Sequence, residues 1–471
     1  MRPSQTTRAA LTEVRTLIIF GADGDLTARL LLPGLGRLLS TGAGAELHLV
    51  GVGMAGWDDD TWRAVVSSSF ASVDAGGKMA GGVVERICAE TTYHQVDVTD
   101  AEAVSSLLST CGGPLAIFFA LPPRVTATAC VALGKIDLPS DTRLVLEKPF
   151  GTDAVSAAEL NRMVTSLVPE HHIHRVDHFL GKSTVLNILG LRFANRLFEP
   201  LWNCEHVASV QIIFDEQLGL EGRAGYYDNN GALRDMVQSH LLQVMAFLAM
   251  EPPPSLDERE LRDRTADVLR ATRLADDPRT ASRRARWTAG SIDGREMVAY
   301  AAEEGVDPGR HTETLAEVDL RVDTWRWSGV PFRLRSGKAL GDQHKEIVVT
   351  FNRVPMIPAG LTGSREPARL RIGLGPDFLV VELDVNGPGA DPMELERAYL
   401  STELAEAGLP AYGEVLDGVL RGDPTLSVRG DTAEQCWRIV EPVLQAWAND
   451  EVPLEEYPAG SGGPSTWASS A

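Results

Sequence analysis

The chain has 471 residues, which is too long for a single ordinary hydrophobic core, so its length predicts two domains. Its formal net charge of −21 argues against a general binder of nucleic acids or anionic membranes, because phosphate groups repel an acidic surface. Five scattered cysteines without a C-x-x-C pair argue against a disulfide framework or a zinc ribbon, and no long apolar run predicts a membrane span or signal peptide. A cytoplasmic globular protein is the expectation.

The first third of the chain alternates strands with helices. An apolar strand at 16–20 runs into a glycine turn and then a stretch with helical apolar spacing. Four further strands are predicted at 46–54, 91–98, 114–121 and 143–150. This alternation indicates an N-terminal Rossmann-type doubly wound parallel sheet, which we assign to residues 1–177.

The remainder of the chain is dominated by neighbouring strands. They are predicted at 206–217, 317–323, 331–337, 345–352, 369–375 and 378–385. A long helix is expected at 231–250, the charged segment 252–287 is expected to be helical and exposed, and the tail after Tyr457 is expected to fray. Residues 178–471 are therefore expected to form a larger β+α domain, with a big, mostly antiparallel sheet backed by helices.

The motif GADGDL at 21–26 occupies the turn between the first strand and its helix. Glycines there let the backbone approach a pyrophosphate, and the start of the helix offers N–H groups to it. The spacing is shorter than G-x-G-x-x-G, so a plain turn also fits. The cofactor-binding candidates in and after this loop are Gly21, Asp23, Gly24, Asp25, Leu26 and Arg29.

Two further motifs lie in the last part of the predicted first domain and at its end. EKPFG at 147–151 places Lys148 at the carboxyl end of a buried-looking strand, where it would touch cofactor and substrate, although a surface turn is the alternative. RVDHFLGK at 175–182 combines Asp177, His178 and Lys182; an aspartate can orient a histidine, and a histidine with a lysine can grip a phosphate dianion. The nearby histidines have no matching ligand cluster, so no metal site is predicted.

The last two motifs are ambiguous when each is taken alone. GYYDNNGALRDMVQSH at 225–240 puts His240 on the same helical stripe as Leu233 and Val237, a pattern that favours a core histidine. GVPFRLRSGK at 329–338 is a strand that ends in a basic loop.

Together and in this order, the five motifs resemble the glucose-6-phosphate dehydrogenase family from about residue 15 to about residue 460, and YPAG at 457–460 adds to the resemblance. Five ordered motifs are far more specific than any one of them. The resemblance therefore outweighs the local alternatives given for each motif.

The resemblance implies oxidation of glucose 6-phosphate at C1 to 6-phosphoglucono-δ-lactone, the first step of the pentose phosphate pathway, in a homodimer or homotetramer. His240 resembles the general base that takes the C1 hydroxyl proton, and Asp177 its carboxylate partner. An imidazole with an ordinary pKa of about 6.5 is suited to accept that proton as hydride leaves.

The resemblance also implies the substrate contacts. His178 and Lys182 match the family's phosphate ligands, and Glu216 and Asp235 its sugar-hydroxyl contacts. Lys148, Lys338 and Lys345 complete the predicted substrate-binding set. The family usually has a basic residue about five positions after Lys338, where Gln343 stands here, so Lys345 is the nearest lysine.

The cofactor end departs from the family pattern. Asp23 stands where serine or threonine is common, Ala28 and Leu30 stand at lysine positions, and the second strand ends in VGMA at 52–55 where an arginine often binds the 2′-phosphate of NADP. At the phosphate site, Phe179 stands where the family commonly has a tyrosine. NADP is slightly favoured on the resemblance, NAD is possible, and kcat/KM for the two is expected to differ by less than about 100-fold.

Two other functions fit parts of this pattern. A sugar dehydrogenase of the Gfo/Idh/MocA type also has a Rossmann domain and an E-K-P motif, but the pair RVDHFLGK and ALRDMVQSH argues against it. A homologue that binds a sugar phosphate without turnover would explain the altered glycine loop.

Overall fold

The computed structural model describes residues 13–72, 82–387, 389, 391–404 and 408–467. The chain divides into two compact units. Unit 1 consists of Met1–Lys182, Pro253–Asp263 and Ala407–Glu434, and unit 2 of Ser183–Pro252, Arg264–Glu406 and Gln435–Ala471. The single boundary expected between Asp177 and His178 stays a prediction.

The described strands are β1 (Thr16–Phe20), β2 (His48–Gly53), β3 (Thr92–Gln95), β4 (Leu115–Phe119), β5 (Arg143–Glu147), β6 (Ile173–Val176), β7 (Val207–Asp215), β8 (Thr272–Leu274), β9 (Ser282–Thr288), β10 (Gly290–Ile292), β11 (Arg295–Met297), β12 (Leu315–Val322), β13 (Pro331–Gly337), β14 (Lys345–Phe351), β15 (Thr362–Gly363), β16 (Arg369–Gly373), β17 (Phe378–Asn386), β18 (Glu394–Glu403) and β19 (Leu454–Pro458). The described α-helices are α1 (Leu32–Leu39), α2 (Asp59–Ala71), α3 (Gly82–Glu90), α4 (Ala101–Thr110), α5 (Pro123–Leu133), α6 (Ala154–Leu167), α7 (Ser183–Phe193), α8 (Ala224–Ala232), α9 (Leu242–Ala249), α10 (Glu258–Ala271), α11 (Pro278–Ala281), α12 (Ala411–Arg421) and α13 (Gly430–Ala448). Two segments, Thr27–Leu31 and Leu233–Leu241, are π-helical.

Unit 1 is built on a six-stranded parallel sheet with the order β3-β2-β1-β4-β5-β6. Every residue of β1 and β4 is buried, because the two strands lie at the centre of the sheet with helices covering its faces. The strand order is that of a dinucleotide-binding Rossmann fold, and its ligand crevice lies at the carboxyl ends of the strands, where the order reverses. The predicted fold class of this part of the chain is confirmed.

Helix α12 joins the core of unit 1 although it lies far along the chain. Its buried residues Tyr412, Leu416 and Val419 belong to the same hydrophobic cluster as α1 and β1. The two helices approach closely at Gly34, where an added Cβ atom would lie 2.9 Å from the Cβ of Tyr412. This packing fixes Tyr412 beside the carboxyl edge of the sheet.

Unit 2 is built on an eleven-stranded mixed sheet in which most neighbouring strands are antiparallel. Strand β7 pairs parallel with β13 and antiparallel with β14. The ends of β7 and β13 and the start of β14 therefore meet at one edge of the sheet. The predicted large, mostly antiparallel sheet backed by helices is confirmed.

The long helix expected at 231–250 is present, and it includes the π-helical stretch Leu233–Leu241 between α8 and α9. Two other local expectations for unit 2 are wrong in part. The segment 252–287 is helical over α10 and the short α11, and otherwise enters strands β8 and β9. The described part of the tail after Tyr457, residues 458–467, is packed, since Trp467 is buried in a hydrophobic cluster and its indole N–H donates to Glu455 at 2.7 Å.

Candidate active site

The glycine loop of unit 1 has the backbone shape that a dinucleotide requires. Gly21 has a φ of +86°, and an added Cβ atom would lie 2.3 Å from the carbonyl oxygen of Ala120, so only glycine fits between β1 and β4. The Thr27 hydroxyl donates to the Gly21 carbonyl at 2.9 Å and ties the loop to the following helix. The loop thus presents a tight turn and a helix start, the two features that a bound pyrophosphate uses.

The other predicted loop residues have separate environments. Asp25 pairs with the exposed Arg29 at 3.3 Å, and Leu26 packs against the hydrophobic core. Oδ2 of Asp23 accepts the backbone N–H groups of Met54 at 3.0 Å and Ala55 at 2.8 Å. The Asp23 carboxylate therefore points to the end of β2.

The motif EKPFG lies at the carboxyl end of β5, as the sequence indicates. The Lys148–Pro149 peptide bond is cis. The pKa of the Glu147 carboxyl group is raised to about 7, chiefly by burial and to a smaller extent by the charge of Asp177. A hydrogen bond from Tyr412 and the charge of Lys148 act in the opposite direction but do not offset the burial. Glu147 therefore carries a proton over part of the neutral range, close to the predicted Lys148.

The motif RVDHFLGK forms a tight turn after β6. Asp177 is 1% exposed, and its Oδ1 accepts the N–H group of Phe179 at 3.0 Å. The Lys182 ammonium lies 4.0 Å from the centre of the Phe179 ring, a distance typical of a cation–π contact. Phe179, which stands where the family commonly has tyrosine, thus supports Lys182 through its ring face.

Tyr412 joins two predicted site segments of unit 1. Its ring stacks on the His178 imidazole, with centroids 5.7 Å apart and planes 17° apart. Its hydroxyl group bonds to the Glu147 carboxyl group. Sequence reasoning missed Tyr412, since it lies in PAYGEV at 410–415, far from every motif, and only the packing of α12 brings it to the site.

Three predicted substrate residues converge in unit 2. Glu216 follows β7, Lys338 follows β13 and Lys345 begins β14, so the strand pairing brings them together. Lys338 Nζ lies 2.7 Å from Glu216 Oε2, and Lys345 Nζ lies 3.2 Å from Glu216 Oε1. Burial acts to raise the pKa of Glu216, but the two lysines more than offset it, and the pKa falls below its ordinary value.

The π-helical stretch Leu233–Leu241 carries the other two predicted residues of unit 2, Asp235 and His240. Residues five apart would lie about 140° apart around an α-helix of 3.6 residues per turn. In a π-helix the hydrogen bonds join i to i+5, so the same two residues lie close to one side. His240 is 1% exposed, and Asp235 accepts the Tyr226 hydroxyl at 3.1 Å.

Glu313 fixes the start of this π-helical stretch. Its Oε1 accepts the N–H group of Leu233 at 3.0 Å, and Gly231, with a φ of +64°, lies so close that an added Cβ atom would be 2.3 Å from Oε1. Glu313 is 6% exposed. It is a positioning residue that sequence reasoning missed, because the contact spans 80 residues.

The predicted residues thus divide between the two units. Unit 1 carries the glycine loop, Lys148, Asp177, His178 and Lys182, and unit 2 carries Glu216, Asp235, His240, Lys338 and Lys345. In the part of the chain that the structure describes, no group of three or more His, Cys, Asp or Glu side chains is arranged to hold a metal ion. No helix among the described residues is long and apolar enough to cross a membrane.

Comparison with protein families gives two adjacent matches. The NAD binding domain of glucose-6-phosphate dehydrogenase matches residues 18–187, and the C-terminal domain of the same family matches residues 189–470. The Gfo/Idh/MocA alternative is set aside, because both matches are to one family and together they span nearly the whole chain.

Relatives and solved structures agree with these matches. The chain is 40% identical over 461 residues to a glucose-6-phosphate 1-dehydrogenase of Gluconobacter oxydans, covering 95% of this chain and 94% of that one. It is 40% identical over 475 residues to that of Mycolicibacterium smegmatis, with the same coverage. The crystal structure of the Mycobacterium avium enzyme superposes with a TM-score of 0.84 at 32% identity, covering 97% of this chain and 96% of that one. A glucose-6-phosphate dehydrogenase in complex with glucose-6-phosphate superposes with a TM-score of 0.86 at 28% identity, covering 97% of each chain.

Proposed function

The chain belongs to the glucose-6-phosphate dehydrogenase family, and on that premise we propose that it oxidises glucose 6-phosphate at C1 to 6-phosphoglucono-δ-lactone. Family membership makes it an oxidoreductase with a nicotinamide-dinucleotide-binding domain. The observation that supports the residue assignment is the π-helical stretch Leu233–Leu241, because i to i+5 bonding favours Asp235 and His240 on one side of the helix. A general base and a sugar-hydroxyl ligand must share one side if both are to reach the same sugar ring.

The proposed chemistry uses one proton transfer and one hydride transfer. His240 takes the proton of the C1 hydroxyl group as the C1–H bond breaks and its electron pair leaves as hydride. A bound nicotinamide supplies the acceptor for that hydride. Asp177, as the carboxylate partner of His240, would orient the imidazole and stabilise its charged form. This pairing remains a prediction from the resemblance.

The proposed substrate contacts match charge to charge. Lys182 provides a cationic donor and His178 a ring N–H donor for the phosphate dianion, and the charge-assisted hydrogen bond from Lys182 is of the strong kind. Glu216 accepts from sugar hydroxyl groups and is held in its charged form by Lys338 and Lys345. Lys148 is proposed to contact both sugar and cofactor.

The finer assignments rest on the resemblance. It favours NADP slightly over NAD, and it implies a homodimer or homotetramer that works in the cytoplasm at the first step of the pentose phosphate pathway. The intact substrate motifs support the proposed reaction and pathway step. The glycine loop departs from the family pattern, so the preference between NADP and NAD depends on the residues that this chain has at the cofactor end.

The test is the rise in absorbance of the reduced nicotinamide when purified protein is mixed with glucose 6-phosphate and each dinucleotide in turn. His240→Asn should lower kcat by about 10² to 10⁴-fold and leave substrate binding largely intact. His206→Asn, at an exposed histidine of unit 2, is the matched control and should keep normal turnover. Near-normal turnover in His240→Asn would make His240 a core histidine. Binding of glucose 6-phosphate without any absorbance change would favour the non-turnover homologue.

A further inference from the structure

The end of β2 is the place where Rossmann enzymes distinguish their two dinucleotides. An acid there accepts a hydrogen bond from the adenosine ribose of NAD, whereas an arginine there pairs with the 2′-phosphate of NADP. In this chain Gly53, Met54 and Ala55 carry neither kind of side chain. The carboxylate of Asp23 lies there instead, because its Oδ2 accepts the N–H groups of Met54 at 3.0 Å and Ala55 at 2.8 Å.

The surroundings of this carboxylate accommodate it closely. A Cβ atom added to Gly53 would lie 2.5 Å from Asp23 Oδ1 and 2.6 Å from the Tyr93 hydroxyl oxygen, so a glycine is required for Asp23 to lie against the strand. Gln95 donates to the Met54 carbonyl at 3.0 Å and holds the segment that carries the two amides. Burial, and then the charge of Asp23, raise the pKa of Tyr93 to about 12, so the phenol stays neutral beside it.

The carboxylate affects a 2′-phosphate in two ways. Backbone N–H groups are the donors that bind phosphate groups at such turns, and Asp23 already uses two of them. Its negative charge also repels a second anion at short range. A ribose hydroxyl group, by contrast, can donate to the exposed carboxylate without displacing it.

The neighbouring charges do not reverse this effect. Arg29, the nearest cation along the glycine-loop helix, is exposed and pairs with Asp25 at 3.3 Å. At the start of α2, Arg63 pairs with Asp59 at 3.5 Å and with Asp60 at 3.1 Å. Arg29 and Arg63 are thus each already paired with a carboxylate.

We propose that Asp23 determines cofactor specificity and makes this chain prefer NAD to NADP, which reverses the slight preference carried by the family resemblance. The inference rests on the proposed dehydrogenase function. We expect NAD to bind about 10- to 100-fold more tightly than NADP, because the two dinucleotides then differ by about one charge-assisted hydrogen bond to the protein.

Calorimetric titration of the full-length protein with NAD and with NADP, without sugar phosphate, measures this preference independently of turnover. Asp23→Thr should shift the ratio of the two dissociation constants at least about tenfold toward NADP, mainly through tighter NADP binding, since it frees both amides and removes the charge. Asp23→Asn keeps the size of the side chain and should shift the ratio in the same direction by a smaller factor. Glu159→Gln removes an exposed charge from α6 and is the matched control, which should leave the ratio within about twofold.

Equal or tighter binding of NADP by the wild-type protein, or a ratio that neither Asp23 variant moves, would overturn the inference. Selective NAD binding without oxidation of glucose 6-phosphate would support the role of Asp23 and refute the proposed function. Binding of neither dinucleotide by the folded protein would refute both.

Discussion

The Glu147 carboxyl group, at the end of β5, makes the stability of unit 1 depend on pH in a direction opposite to that of most carboxylates. Its pKa is raised from 4.5 to about 7, chiefly by burial, so the folded protein binds the proton more tightly than the unfolded chain does. The resulting stabilisation is fully present below about pH 4.5 and is lost as the pH rises through about 7. At about 1.4 kcal/mol for each pH unit, the loss over this interval is about 3 kcal/mol.

Glu147→Gln removes this dependence and keeps an oxygen that can accept the Tyr412 hydroxyl. Because about 1 kcal/mol shifts the Tm of a unit of this size by about 2–4 °C, the variant should melt about 6–12 °C above the wild type at pH 8 and close to it at pH 5. The measurement is thermal unfolding of both proteins at half-unit steps from pH 5 to pH 8. Glu159→Gln, at an exposed carboxylate of α6, is the control and should show no trend. A Tm difference that stays constant over this range would mean that Glu147 is ionised throughout and would refute the reasoning.

Two predictions address the substrate contacts. Lys182→Ala should raise KM for glucose 6-phosphate by about 10- to 100-fold, and far more than KM for unphosphorylated glucose, because a charge-assisted bond to the phosphate is lost. Lys135→Ala, at an exposed lysine, is the control. An equal effect of Lys182→Ala on both sugars would contradict the assignment. Lys345→Gln should raise KM for glucose 6-phosphate about tenfold with kcat nearly unchanged, whereas a lower Tm with an unchanged KM would show that Lys345 only holds Glu216.

The parallel sheet of unit 1 was predictable because its strands satisfy two conditions at once. LIIF at 17–20 and LAIFF at 115–119 are apolar without interruption, and each meets turn residues where it ends. A strand with helices over both faces needs no polar face, so the sequence pattern and the environment agree. Because ligands bind at the carboxyl ends of such strands, the sequence also predicts that the glycine loop and Lys148 of EKPFG lie at the ligand-binding edge of the sheet.

Strand β9 shows why other parts were not predictable. SRRARW at 282–287 has the composition of an exposed helix, yet Ser282, Ala285 and Trp287 are buried in a sheet. Its arginines are accommodated by partners far along the chain, for instance Arg284, which contacts Asp450 at 3.0 Å. A local pattern cannot reveal a partner that only the fold brings close, so tertiary contacts overrode the local preference.

The π-helical stretch is a second case of the same kind. The apolar spacing at 233–250 fits a regular helix and by itself assigns His240 to the core. Its burial, at 1% exposure, fits a core residue and a catalytic one equally well. The change to i→i+5 bonding begins where Glu313 takes the Leu233 amide, and neither residue type signals that change in the sequence.

The cofactor end shows how the position of a charge in space differs from its position in the sequence. In the sequence, Asp23 is a carboxylate in a pyrophosphate loop, and the residues at the end of β2 include neither an acid nor a cation. In the folded chain Asp23 provides the acid at the end of β2, since its carboxylate accepts the amides of Met54 and Ala55, 31 and 32 residues further along. The reach depends on Gly53 having no side chain. An acid that selects NAD can therefore be carried by the first βα turn, because the ribose responds to where the carboxylate lies and not to the strand that supplies it.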